Sequence, residues 1–364
     1  MPRITRARMP PARCAVLLLI AALCGSLGAA FFPPARRSTA ADPAAVEETA
    51  RAEDAAGGAR LVAGNVRYGD RRVGADRGRD DPPGAAAGAS VDEAPDAART
   101  LDVYGPAAGA AAAPRPVVLY VHGGGWRHGD KSMVGAKPVA FVGRGCLFAS
   151  VNYRLHEPVT PREQAGDVAR AVKWLHEHAA GFGGDPGRIF LVGHSAGAHL
   201  AALVGVDERL LGEVGLDLSA LAGVVLLDGA GYDVPRQMAA AARFPALEKL
   251  FHTAFGDDPE AQREASPITH VAAGRRMPPF LIFHVGMRQD SREQSESLAQ
   301  KIRAAGGRAT TVHERGKNHL TINRELGHPG DEPTARVFAF LEEHRDDARR
   351  RAAAGSPAVT DAAR

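Results

Sequence analysis

At 364 residues, the chain is too long for a mini-domain and suits one large α/β domain with extensions, or two ordinary domains. Its 45 Lys and Arg against 42 Asp and Glu leave a net charge of +3 with no basic stripe, so no nucleic-acid partner is expected. Three cysteines, two of them within the first 24 residues, exclude a disulfide framework and draw no C-x-x-C zinc pattern, so no metal is expected either.

In chain order, the first element reads as an address. Arg3, Arg6, Arg8 and Arg13 precede an uncharged run from 14 to 32, with small residues at Gly28-Ala29-Ala30. A basic head, an apolar stretch and a small-residue site predict a signal peptide over 1–30, hence a secreted or periplasmic protein. The alternative is an uncleaved N-terminal membrane anchor, the one case in which a membrane would be a partner. Residues 31–60 carry Ala, Pro and charge without apolar period and predict a disordered linker. A similar stretch at about 71–98 predicts a disordered insertion between short strands at 65–68 and 100–104, and 346–364 a disordered tail. The domain proper is expected over 61–345.

From Pro116 onward, short apolar runs alternate with helical periodicity. The runs at 117–121, 146–152, 189–192, 224–227, 280–283 and 310–312 are nearly continuous, as for strands buried on both faces of a parallel sheet. Between them, Val168, Ala171, Val172, Leu175 and Ala179 share one helical face. Ser291 and Gln294 predict a capping box ahead of Leu298 and Ile302, with Gly306-Gly307 closing that helix. Thr334, Val337, Phe338 and Leu341 mark the last helix. This alternation predicts a doubly wound α/β sheet, with chemistry at the carboxyl ends of its strands.

One strand runs into Gly193-His194-Ser195-Ala196-Gly197 and then a helix at 198–206. A serine between two glycines on a strand–turn–helix is the setting of an exposed nucleophile. His122-Gly123-Gly124-Gly125-Trp126 follows another strand, and consecutive glycines let backbone N–H groups face a cavity. Gly124, Gly125 and Ala196 are the expected oxyanion donors. Trp126 is expected to border the substrate pocket, and His122 to brace the loop rather than act as a base. Of 14 histidines, His319, between the last strand and the last helix, is the expected base; His313 is the spare candidate, and His284 reads as core. The acid should follow strand 280–283, which points to Asp290, with Asp228 after the preceding strand as the alternative.

The pieces HGGGW (122–126), VNYRL (151–155), GGDPGRIFLVGHSAGAHLA (183–201) and NH (318–319) together resemble the α/β-hydrolase superfamily. The resemblance lies in its carboxylesterase branch, near hormone-sensitive-lipase-like and feruloyl or acetyl-xylan-esterase-like proteins, and spans about 100–345. It implies an α/β-hydrolase fold with a mostly parallel sheet, helices on both faces and a small cap from residues 229–271. The activity implied is serine carboxylesterase, with short-chain or carbohydrate-linked esters, small-molecule or polysaccharide, as substrates and no cofactor. An arylformamidase-like amide hydrolase shares an H-G-G-x-W loop and is an alternative. A catalytically inactive hydrolase-fold binder is another, disfavoured by the intact serine, acid and histidine candidates. Two departures stand out. Gly286 to Asp290 has one residue more than the G-x-x-D of many relatives, and the 71–98 insertion separates strands that are usually contiguous.

Overall fold

The computed structural model describes residues 58–68, 98–106, 113–155, 158–286, 288–347 and 350. The expected signal peptide, most of the linker, nearly all of the 71–98 insertion and most of the 346–364 tail lie outside the described residues.

Eight strands form one sheet in the order β1-β2-β4-β3-β5-β6-β7-β8. They are β1 (Ala59–Arg67), β2 (Thr100–Pro106), β3 (Arg115–Val121), β4 (Leu147–Val151), β5 (Gly184–His194), β6 (Leu221–Leu227), β7 (Phe280–Val285) and β8 (Ala309–Glu314). β1 and β2 pair antiparallel across the insertion, β2 pairs antiparallel with β4, and from β4 to β8 the pairing is parallel. All eight expected strands form, and β1 begins earlier than expected, inside the segment assigned to the linker. This is the α/β-hydrolase architecture.

Two cores flank the sheet, and strand alternation sorts side chains between them. Val117, Leu119 and Val121 face one core, and Val118 and Tyr120 the other. The first core is covered by α2 (Pro161–His178), α3 (Ala196–Val206) and α9 (Gln289–Ala304); the second by α1 (Lys137–Gly143) and α11 (Glu332–His344). A reciprocal capping box of Thr160 and Glu163, with Pro161 in the first turn, starts α2. Short helices α4 (Glu208–Gly212) and α10 (Thr321–Arg324) sit in connections.

Residues 229–271 fold as four helices between β6 and β7: α5 (Val234–Ala241), α6 (Pro245–Phe255), α7 (Pro259–Glu264) and α8 (Pro267–His270). Each has a proline in its first turn, which pre-sets φ where the N–H needs no partner. They form the expected cap.

The tail expectation needs one amendment. Asp347 is buried and accepts a hydrogen bond from His344 Nδ1 (2.9 Å), so the final helix carries ordered structure beyond residue 345.

Candidate active site

Ser195 lies between β5 and α3 with φ 55° and ψ −120°, a backbone that L-residues avoid. The flanking glycines are sterically required. A Cβ on Gly193 would stand 2.3 Å from Gly197 O, and one on Gly197 would stand 2.1 Å from Val121 O. Asp228 (φ 46°) and Trp126 (φ 61°) are strained in the same sense, and with Asn65 these are all the non-glycine residues of positive φ among those described. Three of the four thus belong to this site, where strain is held by surrounding structure.

His319, on the loop after β8, reaches Ser195 Oγ through Nε2 at 3.0 Å. Its Nδ1 lies 2.6 Å from Asp228 Oδ2. Asp228 ends β6, its own N–H still bonded to Phe283 O of β7, and its side chain is fully buried. Burial alone would push its carboxyl up. Arg288, His319 and Ser291 together outweigh that and hold the carboxyl well below the usual range. His194, beside the serine, donates Nε2–H to the carbonyl of His319 (2.8 Å) and fixes that backbone. Burial, then the nearby His319, push His194 well below the ordinary histidine range, so it stays neutral.

The glycine loop packs directly on the elbow: a Cβ on Gly123 would meet His194 O at 2.9 Å and Ser195 Cβ at 3.0 Å. Gly124 has φ +130°, and a Cβ there would fall 2.0 Å from His128 O. Gly124→Ala is therefore expected to lower stability by about 3 kcal/mol, measured by denaturant unfolding. A loss below 1 kcal/mol would mean that the loop re-forms freely. Ala196 is the first residue of α3, so its N–H has no acceptor within the helix.

The VNYRL segment is scaffolding for this loop. Tyr153 donates its hydroxyl to His122 O (2.9 Å) and stacks on the His122 ring at 4.5 Å. Asn152 donates to Asp130 (2.9 Å), and Arg154 forms a bidentate pair with the buried Asp167 (2.7 and 2.9 Å). His122 donates Nδ1–H to Gly123 O (2.8 Å), the bracing part expected of it. The arrangement provides a hydroxyl, a neutral-capable imidazole and a carboxylate in series beside backbone donors, which is the equipment of nucleophilic acyl chemistry.

The BD-FAE family profile matches residues 101–302, more than half of the chain. The chain belongs to the BD-FAE family. Similar curated proteins include a probable isoprenylcysteine alpha-carbonyl methylesterase, ICMEL1 of Arabidopsis thaliana, 29% identical over 61% of this chain and 48% of that one. Esterase LipC of Mycobacterium tuberculosis is 33% identical over 52% of this chain and 49% of its own length. The chain spans about half the length of these curated relatives. Among solved structures, an inhibited esterase B from Lactobacillus rhamnosis superimposes with a TM-score of 0.60 at 21% identity, covering 84% of this chain and 97% of that one. That likeness is one of fold.

Within this BD-FAE chain, two expected site residues fall elsewhere. Asp290 is not the partner of His319. It sits in the first turn of α9, a third exposed, with Oδ2 3.3 Å from Arg288 Nη2. The weighed alternative, Asp228, takes the place because β6 delivers its carboxylate to Nδ1, while Arg288 stands between Asp290 and the ring. Ser291 does not cap α9 either; the helix starts at Gln289, and the Ser291 hydroxyl donates to Asp228 Oδ1 (2.5 Å).

Trp126 is the second correction. At 4% exposure it is packed under Phe251 and Phe255 of α6 (centroids 5.8 and 4.7 Å), and the small cleft that it lines with Leu155, Val159 and Thr253 includes neither Ser195 nor His319. Its Nε1–H donates to His199 Nδ1 (3.2 Å), and His199 Nε2–H donates to Ala265 O in the cap (2.8 Å). Burial lowers the His199 pKa to about 4, so this imidazole is a neutral, single-tautomer strut. His313 points away from the serine: it donates Nε2–H to Gly286 O (2.9 Å) and stacks on the buried His284. Arg288 was missed by sequence reasoning. The signal that could have found it is the irregular spacing between Gly286 and Asp290.

Proposed function

We propose that this chain is a serine esterase that hydrolyses small carboxylic esters through Ser195, His319 and Asp228. The observation that carries this reading is the continuous series from Ser195 Oγ to His319 Nε2 (3.0 Å) and from His319 Nδ1 to Asp228 Oδ2 (2.6 Å), beside a glycine loop. The names of its relatives, a methylesterase and an esterase, support the same bond class.

In this mechanism Ser195 Oγ attacks the ester carbonyl as its proton passes to His319 Nε2. Asp228 holds the Nδ1 proton in place and stabilises the imidazolium. Amides of Gly124, Gly125 and Ala196, the last at the positive end of α3, take the developing oxyanion. The imidazolium then protonates the leaving alcohol, and water repeats the sequence to release the acid. A fluorophosphonate probe is expected to label Ser195 alone, with turnover of p-nitrophenyl acetate abolished in parallel; an unlabelled serine in turning-over enzyme would refute the assignment.

Short acyl groups suit the site best. Leu250 of α6 is half-buried against the glycine loop, its Cδ1 3.0 Å from where a Cβ on Gly125 would stand. Of the cap's large apolar side chains only Phe244 is strongly exposed (57%), too little for the apolar rim that a lipid surface requires. Activity on p-nitrophenyl esters is expected to peak from acetyl to butyryl and fall beyond hexanoyl. Each buried methylene is worth about 0.8 kcal/mol, so Leu250→Ala, which makes room for roughly two, should favour octanoyl over butyryl by about ten-fold more than the wild type does. A wild-type maximum at decanoyl or longer would overturn the short-chain assignment.

A further inference from the structure

Where the sequence led us to expect the acid, after β7, the structure places a cation. The Arg288 side chain is 9% exposed. Its Nη1 lies 2.5 Å from Asp228 Oδ2 and 2.8 Å from His319 Nδ1, and its Nη2 lies 3.3 Å from Asp290 Oδ2. Asp228 Oδ2 is therefore shared by two donors, the imidazole and the guanidinium, while Oδ1 accepts from Ser291. Both carboxylate oxygens are engaged, and the carboxylate cannot rotate away from the ring without breaking a buried charge-assisted bond.

When Nδ1 carries its proton toward Asp228, Arg288 and the ring present hydrogens to each other, so the guanidinium is not bonded to the ring. It is a positive charge at contact distance from a ring that must become positive during turnover. Asp228 from β6 and Asp290 from α9 attract a proton to that ring; Arg288 opposes it. The other groups around the ring are neutral or more distant: Ser195 and the uncharged His194 from the elbow, Tyr232 beside Asp228, and Lys137 of α1, which acts on His194. Among the described residues, Arg288 is thus the one charged donor in direct contact with both the ring and its acid.

We propose that Arg288 is a positioning residue of the charge series: it fixes the Asp228 carboxylate against the His319 ring and opposes, with its own charge at contact distance, the positive charge that the ring takes up during turnover. This rests on the esterase reading above. The guanidinium also fits its site in a way that lysine cannot, because one planar fork reaches two carboxylates that a single ammonium would have to choose between.

The test is the pH dependence of kcat/KM on p-nitrophenyl acetate for the wild type, Arg288→Met, Arg288→Lys and Asp290→Asn, with the His319 ring titration followed by NMR in the same proteins. Arg288→Met should lower plateau kcat by about ten- to a hundred-fold with KM little changed, and move the acid limb up by about one pH unit. Arg288→Lys should restore the limb but only part of kcat. Asp290→Asn, which removes a negative charge, should move the limb the other way. A loss of kcat or of thermal stability in Arg288→Met and Arg288→Lys with both limb and ring titration unmoved would show a merely structural arginine and overturn the proposal. If Arg288→Met does not fold, Arg288→Lys and Asp290→Asn decide it: a wild-type limb in Arg288→Lys with a limb moved down in Asp290→Asn supports it, and Asp290→Asn without any displacement refutes it. Should the wild type neither turn over esters nor take the fluorophosphonate, the esterase reading fails, while the NMR titration still reports on Arg288 separately.

Discussion

Ser195→Ala is expected to lower kcat by about 10⁴-fold or more while the protein remains folded. The methyl group fits wherever the CH₂ of serine does, and the residue is half-exposed at a turn, so no core contact is lost. What disappears is one hydrogen bond to His319, worth about 1 kcal/mol in stability. The main-chain strain at φ 55° remains, because alanine suffers it as serine does. Activity should collapse and the unfolding midpoint should shift by only a few degrees, read by ester turnover and thermal denaturation on the same sample. Turnover within a hundred-fold of wild type would mean that another group delivers the nucleophile.

Asp228→Asn comes next in size and separates two carboxylates that are neighbours in space. An amide of the same shape can no longer hold a proton on His319 Nδ1, so the proton moves to Nε2, where it faces Ser195 and blocks its activation. A loss of about 10⁴-fold in kcat is expected. Asp290→Asn, whose carboxylate touches only Arg288, should cost less than ten-fold. Asp228→Asn should also destabilise the protein by about 3 kcal/mol, because Arg288 would lose its nearer counter-charge in a buried place. The pH dependence has a definite sign. The Asp228 carboxyl is held below its value in the unfolded chain, so its contribution is fully present above about pH 5 and fades as the pH falls through the acid range. Unfolding at pH 7 and at about pH 3 should show wild type and Asp228→Asn converging on acidification. If Asp290→Asn proves the more damaging change, the acid is misassigned.

The sheet was legible in the sequence because parallel strands buried on both faces leave continuous apolar runs, and residues 189–192 and 224–227 are of that kind. The elbow and glycine loop were legible for a different reason: glycine is demanded at positions 193, 197 and 124 by backbone contacts near 2 Å, which no other residue survives. The acid was not legible. Asp228 after β6 and Asp290 in the first turn of α9 both meet Arg288, and which carboxylate reaches Nδ1 depends on how that arginine inserts between them, its contact with Asp228 spanning 60 residues of sequence. Ser291 shows the same limit. Its spacing suits a helix cap, but a tertiary acceptor took its proton. Trp126 follows the glycines as a pocket wall might, yet His199 claims its N–H and the cap covers its ring.

The strut made by His199 has a mechanical consequence. One imidazole ties the glycine loop, the nucleophile helix and the cap into a single body, with an indole donor on one side and the Ala265 carbonyl on the other. Swinging the cap aside as a flap would strand polar atoms in an apolar interior, at about 1–3 kcal/mol for each. Access to Ser195 by side-chain rotation, on the picosecond-to-nanosecond scale, breaks neither of these bonds, whereas a hinge motion of the cap breaks at least one. In the esterase reading, a cap tied down in this way does not depend on an oil–water boundary to pry it open.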